Sequence, residues 1–348
     1  MAERLVVSID AMGGDNAPDT VIAGVKKAHD KYPDVFFLLF GDEAKIAPLA
    51  EQNGLDKQAY QIYHTTNVVK ADDKPSAAVR YGRETSMWKA IYAVRTGEAA
   101  AVVSAGNTGA LMAMSKICLG TMAGLDRPAI VATMPTAIKG QDVVALDLGA
   151  NAECNATNLV EFAIMGSVFY RIMYDEPNPS VGLLNIGSEE TKGREEIREA
   201  AHILRENKDK VNYKGFVEGF DIGAGTTQVV VSDGFSGNVA LKSIEGTAHM
   251  VKKIFKSYAG KSILAYIGAL FLLPTLARIK KRIDPRRYNG AMFLGLNGIS
   301  VKSHGGADAL GYFYAIESAI NLARNDLCEK IRQGLEDIIF SPDDTFKY

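Results

Sequence analysis

Lys302 and His304 stand two positions apart in "VKSHGGAD", after an apolar run and just before two glycines. A lysine fixed at a strand end can hold an anion such as phosphate. An imidazole beside it can donate a hydrogen bond to a developing oxyanion or move a proton. A histidine satisfied within its own turn is the structural alternative for His304. His29, His64, His202 and His249 lack comparable neighbours and read as noncatalytic. Three more glycine loops carry polar groups. In "DAMGGDNAP", Gly13 and Gly14 allow tight backbone geometry and Pro18 suits a first helical turn, so backbone N–H groups and a helix N-terminus can face an anion. Asp10, Asp15 and Asn16 in that loop then need a cation nearby or serve to position the substrate. In "SAGNTGAL", Gly106 and Gly109 let the backbone approach a ligand while Ser104, Asn107 and Thr108 supply hydroxyl and amide groups, although a helix cap uses the same chemistry. In "DGFSGN", Gly234 and Gly237 flank a turn in which Asp233 and Asn238 either position substrate or lock the backbone. Lys242 downstream meets a phosphate or faces solvent.

The elements that must hold these loops follow one grammar. "RLVVSID", "VFFLLFGD", "AAAVVSAG", "PAIVATMPT", "DVVALDLGAN" and "SVGLLNIGS" are apolar runs that end in small or polar residues, and they read as buried parallel strands. Helical composition fills Ala77–Val94 and Asn107–Gly120. Thr191–Asn207 places Ile197, Ala201 and Leu204 on one side of a charged helix, and a further strand falls near Val229–Ser232. Ala309, Tyr312, Phe313, Ile316, Ala319, Ile320 and Ala323 recur at helical spacing as a packing stripe. The class is α/β, and parallel strands in such folds gather functional loops at their C-terminal ends.

The chain has 348 residues, 47% hydrophobic and 23% charged, which suits one large α/β domain spanning 1–348. A formal charge of −2 supplies no global field for a nucleic acid, and none is expected as a partner. Cys118, Cys154 and Cys328 lack zinc-cluster or disulfide-scaffold spacing, so reduced cysteines and a cytoplasmic location are expected. The start of the chain shows no apolar signal core, which disfavours secretion. No GxxxxGK[ST] loop, dinucleotide-type GxGxxG in a strand-to-helix context or HExxH motif occurs, and neither a cofactor nor a metal is expected. "DIGAGTTQVVV" resembles a phosphate element of actin-like sugar kinases, but it precedes a strand and lacks the companion loops.

The small net charge conceals an asymmetry. Met250–Arg287 sets ten Lys and Arg residues against Asp284 alone, a local charge of +9 that leaves −11 elsewhere. Lys252, Lys253, Lys256 and Lys261 precede "ILAYIGALFLL", which includes Leu270, Phe271, Leu272 and Leu273. Arg278, Lys280, Lys281 and Arg282 follow it. The apolar run is too short for the usual transmembrane helix and is closed by Pro274. This helical excursion, at about 250–287, therefore suits peripheral contact with an anionic membrane, a dimer-interface helix or a cover over the active site. An acidic carrier protein fits the same positive surface.

Together "SIDAMGGDNAPD", "SAGNTGALM", "ALDLGAN", "VGLLNIGSEETKG", "SDGFSGNVALKSIEG" and "GLNGISVKSHGGAD" resemble the bacterial phosphate acyltransferases of phospholipid synthesis, over residues 5–335. The resemblance implies transfer of a long acyl group from acyl carrier protein to inorganic phosphate, giving acyl phosphate for a downstream membrane-bound glycerol-phosphate acyltransferase. It also implies a homodimer at the inner face of the cell membrane. The implied fold is a three-layer, Rossmann-like α/β/α sandwich of the kind found in phosphate acetyltransferases and isocitrate or isopropylmalate dehydrogenases. Lys302 and the glycine loops would hold phosphate while His304, Asn107 and Asn238 stabilise the oxyanion. Ser104 would bind rather than become acylated, and Arg80 would steer phosphate or the carrier's phosphopantetheine unless it pairs structurally. An acyl-CoA donor is the nearest alternative, and a noncatalytic lipid- or carrier-binding module is the alternative of a different class.

Overall fold

The apolar runs assemble into one eleven-stranded sheet. The structure is a computed structural model that describes residues 4–259 and 263–339. The N-terminal half contributes β1 (Val6–Asp10), α1 (Asp19–Lys31), β2 (Phe36–Gly41), α2 (Glu43–Gln52), β3 (Tyr60–His64), α3 (Pro75–Tyr81), α4 (Ser86–Arg95), β4 (Ala101–Ser104) and α5 (Thr108–Leu119). The middle supplies β5 (Ala129–Pro135), β6 (Asp142–Leu146), α6 (Ala156–Tyr174), β7 (Val181–Leu184), α7 (Glu195–Glu206), β8 (Tyr213–Val217), α8 (Gly219–Ala224) and β9 (Val229–Val231). A helical hairpin, α9 (Gly234–Ala259) and α10 (Ile263–Arg282), leads to β10 (Ala291–Leu294), β11 (Ile299–Lys302), α11 (Ala309–Arg324) and α12 (Leu327–Ile339).

The strand order is β3-β2-β1-β4-β11-β10-β5-β6-β9-β7-β8. The first five strands are mutually parallel, as are the last four, β6-β9-β7-β8. Between them β10 runs antiparallel to both β11 and β5, and β5 runs antiparallel to β6. Three successive reversals leave the two parallel blocks pointing in opposite directions, so their C-terminal loops open at opposite ends of the sheet.

Antiparallel β5 corrects the all-parallel expectation for "PAIVATMPT". The connection from Pro135 to Asp142 is a short turn that cannot hold a crossover helix, so the chain must fold straight back. The helix expected over Ala77–Val94 breaks into α3 and α4, with a 3-10 turn at Gly82–Glu84. A Cβ at Gly82 would lie 2.3 Å from Met114 Cε, and the Thr85 hydroxyl caps α4 by accepting from the Trp88 N–H. The charged helix begins at Glu195 rather than Thr191, after Gly193 takes φ +86°.

Both sheet faces are covered. One buries Val7, Ile9, Val103 and Val301 with α1, α6, α11 and α12; the other buries Phe40, Val102 and Phe293 with α4 and α5, and Val143 and Val230 near α8 and α9. The stripe on α11 is core as expected, with Tyr312, Phe313, Ile316, Ala319 and Ile320 all buried. Tyr312 presses on Gly24 of α1, where a Cβ would come within 3.0 Å of the ring and its stem. Ile197, Ala201 and Leu204 on α7 are likewise buried.

Candidate active site

Asp10, Ser104 and Lys302 end three adjacent parallel strands, β1, β4 and β11, with Lys302 in register with Ser104. The Asp10 carboxylate is 1% exposed and accepts hydrogen bonds from Ser86 Oγ at 2.7 Å and Ser104 Oγ at 2.6 Å. Burial pushes this carboxyl above its ordinary range, and the two hydroxyls and Lys302 pull it back. Ser104 Oγ also accepts from the Gly106 N–H at 3.1 Å. Gly13 is required here, because a Cβ would lie 2.5 Å from Asp10 Oδ2 and 2.8 Å from Gly106 N.

Lys302 Nζ donates to the Ala105 carbonyl at 3.3 Å and to the Ser303 carbonyl. Burial lowers its pKa to about 8, opposed by Asp15 and Asp10. The loop carrying Asp15 is stapled to the histidine loop by Asp15 N–H donating to Gly305 O at 2.9 Å. His304 is exposed, and its Nδ1 accepts from the Gly306 N–H at 3.1 Å. In the neutral ring this places the proton on Nε2, leaving that nitrogen as the outward donor. A lysine amine and an imidazole N–H carried two residues apart beside a buried acid suit binding an anion and stabilising negative charge that develops there.

The other expected members of this cluster divide. Gly14 lies at φ +111° against Ala105 and Gly305, a conformation that favours glycine. Asn16 is exposed, and its carbonyl receives both the backbone N–H and the hydroxyl of Thr20. Thr108 is exposed at the first turn of α5. Gly109 packs towards Pro75, whose Cγ a Cβ at this position would meet at 2.7 Å. Asn107 requires correction as an oxyanion donor. Its Oδ1 caps α5 at Ala110 N, and its Nδ2 donates to Ala71 O at 2.8 Å and Asp73 O at 3.0 Å, so both ends of the amide are already occupied in fixing the loop. Arg80 is exposed and lies over the Tyr81 ring, 5.3 Å from its centroid.

A second polar cluster sits at the opposite end of the sheet, beyond β6, β9 and β7. Asp147 is fully buried and receives backbone N–H groups from Ile130, Gly149, Ala150 and Asn151. Asp233 pairs with Arg194 and accepts from Ser236 N–H and Oγ. Gly234 and Gly237 wedge against Asp147 and Asn151: a Cβ on Gly237 would lie 2.0 Å from Asp147 O. Asn238 is exposed beside Gly149, and Lys242 pairs with Glu245 at 2.8 Å on the exposed side of α9. Within one chain, therefore, Asp233, Gly234, Gly237, Asn238 and Lys242 do not join Lys302 and His304.

Sequence reasoning missed Ser86, Asp147 and Arg194. Asp147 carried a readable signal, since it ends an apolar run as Asp10 does. Ser86 opens a helix and has no such mark.

Arg282 is corrected as a membrane contact. It pairs with Asp142 at 2.5 Å and donates to the Ile138 and Gln141 carbonyls, which clamps the base of the hairpin to the β5–β6 turn. Lys252, Lys253, Arg278 and Lys281 are exposed, as are Phe271, Leu272 and Leu273 at 81%, 55% and 54%. Lys261 lies outside the described residues, as do the side chains of Lys256, Leu270 and Lys280. No helix of the described residues is long and apolar enough to cross a membrane.

The family model described as "Fatty acid synthesis protein" matches residues 5–330. A phosphate acyltransferase of Rhodospirillum rubrum is 52% identical over 342 residues, covering 98% of this chain and 97% of that protein. The chain belongs to the phosphate acyltransferase family. A phosphate acyltransferase of Caulobacter vibrioides is likewise 52% identical, over 97% of this chain and 93% of its own. Among solved structures, a phosphotransacetylase from Streptococcus pyogenes superposes with a TM-score of 0.63 at 16% identity, covering 93% of this chain and 95% of that one. The EutD phosphotransacetylase from Staphylococcus aureus gives 0.59 at 14%, covering 92% and 94%. These two likenesses establish the shared mixed α/β fold. In this phosphate acyltransferase, Ser104 Oγ is buried, donates to Asp10 and accepts from Gly106. Cys154 is buried with its thiol pushed up to about 12, first by desolvation and then by Asp147 and Asp233. Neither is poised as a nucleophile.

Proposed function

We propose that this phosphate acyltransferase moves a long acyl group from the thioester of acyl carrier protein to inorganic phosphate, releasing acyl phosphate and the free carrier thiol. The convergence of Asp10, Ser104 and Lys302 on three adjacent strand ends carries this reading of the site. Lys302 holds the phosphate, and a phosphate oxygen attacks the thioester carbonyl directly. His304 Nε2–H donates to the oxyanion that forms. Asp10, fixed by two serines, holds the Ser104 loop and supplies negative charge that helps keep Lys302 protonated. The engaged Ser104 hydroxyl and the high-pKa Cys154 thiol support transfer without an acyl-enzyme intermediate.

The working unit is a homodimer of single-domain chains. Because the strand reversal puts Asn238 at the far end of its own sheet, a twofold pairing that sets the Asp233–Asn238 turn of one protomer opposite its partner's Lys302–His304 loop is the arrangement in which Asn238 can act on the same carbonyl. The fold belongs with Rossmann-like dehydrogenase sandwiches as well as phosphotransacetylases. The exposed cations and apolar side chains of the hairpin rest on the anionic inner face of the cell membrane and receive the acidic carrier. Product is thereby released where a membrane-bound glycerol-phosphate acyltransferase uses it. The test is acyl phosphate formation from acyl carrier protein thioesters, with phosphate omitted as control and acyl-CoA compared under matched conditions. No product from folded enzyme at saturating substrate would sink the assignment.

A further inference from the structure

The sheet ladder on β11 ends at Lys302, and the Ser303 N–H still donates to the Ser104 carbonyl at 2.9 Å, so it is the Ser303 hydroxyl and the His304 N–H that must be held from beyond the strands. Asn289, between the hairpin and β10, does this with one amide. Its Oδ1 accepts the His304 backbone N–H at 2.8 Å. Its Nδ2 donates to Ser303 Oγ at 2.8 Å and to the Gly311 carbonyl at 2.8 Å. Three chain segments meet there: the exit of the hairpin, the histidine loop and the first turn of α11. Ser303 is fully buried, so its hydroxyl depends on such a partner. The same segment braces the far end of the loop as well. Arg286, held by Asp284, reaches Asp308 at 3.1 Å, and Asp308 caps α11 by accepting from the Gly311 N–H. Asn289 is only partly buried, yet all its hydrogen bonds point to backbone or to Ser303, none to His304's ring.

We infer that Asn289 is a positioning residue for acyl transfer: it holds the His304 backbone N–H and the Ser303 hydroxyl and so sets where the imidazole meets the reacting carbonyl. It acts through His304 and touches no substrate. The inference rests on the proposed role of His304 at this site. Lys302 is held by its own strand, so phosphate binding should be largely spared when Asn289 is changed.

The experiment is a double-mutant cycle on the full-length enzyme with Asn289→Ala, His304→Ala and the double variant, measuring kcat and the KM for phosphate, with folding checked by thermal melting. A displaced catalytic group costs up to about 100-fold, so Asn289→Ala should lower kcat about 10- to 100-fold and change the phosphate KM less than about threefold. In the His304→Ala background the same change should cost less than about threefold, because the group it positions is gone. Asn289→Asp keeps an oxygen facing the His304 N–H but sets a second oxygen against the Gly311 carbonyl that Nδ2 now serves, so it should retain more kcat than Asn289→Ala while lowering the melting temperature. This variant carries the test if Asn289→Ala does not fold. Independent, multiplying losses would overturn the inference, as would a loss confined to KM or an Asp variant as impaired as Ala. If His304→Ala alone leaves kcat intact, the reading of His304 fails instead, and that result is recognisable from the single variant.

Discussion

If Lys302 of one protomer and Asn238 of its partner serve one site, two inactive variants should rescue each other. Lys302→Ala removes a half-buried ammonium and Asn238→Ala removes an exposed amide at the other end of the sheet. Losing a charge-assisted contact or an oxyanion donor typically costs about 100-fold or more, so each homodimer should retain about 1% of wild-type kcat. In a mixed dimer both substitutions fall in the same site and leave the other site wild type. With random pairing roughly half the dimers are mixed, each with one working site, so an equimolar co-expressed mixture should recover roughly a quarter of wild-type activity. Mixed dimers isolated with two different affinity tags should reach about half. Acyl phosphate formation at saturating phosphate and carrier thioester is the assay, with wild-type protein carrying the same tags as reference. If the isolated mixed dimer stays at the level of the parents, each site is built within one chain. Strand reversal then does not make the second protomer complete the site.

The lowered Lys302 pKa sets the sign of a pH effect: as pH rises through about 8 the amine loses its proton, so kcat/KM for phosphate should fall on the alkaline side. Lys302→Arg should remove that limb even if it lowers the plateau; a pH profile unchanged by Lys302→Arg would assign the limb elsewhere. Burial also makes charged Lys302 a cost to the fold below about 8, so stability should rise between about 8 and the ordinary lysine value of 10.5, and the gain should vanish in Lys302→Met. Arg282→Ala should destabilise by about 1–3 kcal/mol, whereas Lys281→Ala, on the exposed side, should stay within about 0.5 kcal/mol in the same thermal melts. Gly237→Ala should fold poorly or lose more than about 3 kcal/mol, because its Cβ would meet the Asp147 backbone, which has no room to yield. Finally, Lys252→Glu with Lys253→Glu should weaken binding to anionic vesicles, and raised salt should weaken wild-type binding in the same sedimentation assay.

The strands were legible because a run such as "RLVVSID" or "DVVALDLGAN" has to be buried on both faces, and its first polar residue marks the end of the strand. Direction was not legible. "AIVATMP" is as apolar as its parallel neighbours, and only the short return from Pro135 to Asp142 betrays a hairpin. The clustering of Asp10, Ser104 and Lys302 was legible because strand ends concentrate polar groups. Asn107 was misread because capping a helix and stabilising an oxyanion call for the same amide. Arg282 was misread because its charge counts equally in a sequence whether it is free or paired, and Asp142 lies far upstream in the chain. Asn289 has no motif of its own, since its importance comes from three partners that only the fold brings together.

Helix α9 begins at the Asp147 cluster, and its 26 residues extend about 39 Å, long enough to run past the sheet. The chain then returns through α10 to Arg282, Asn289 and the His304 loop at the other end. The hairpin is therefore a covalent link between the two polar ends of the molecule as well as an outward surface. Excising it would sever that link and disturb both ends at once. A hairpin-deleted chain that lost activity would say little about lipid or carrier contact. Single changes on the exposed face of the hairpin, made with Arg282 left in place, separate attachment from catalysis.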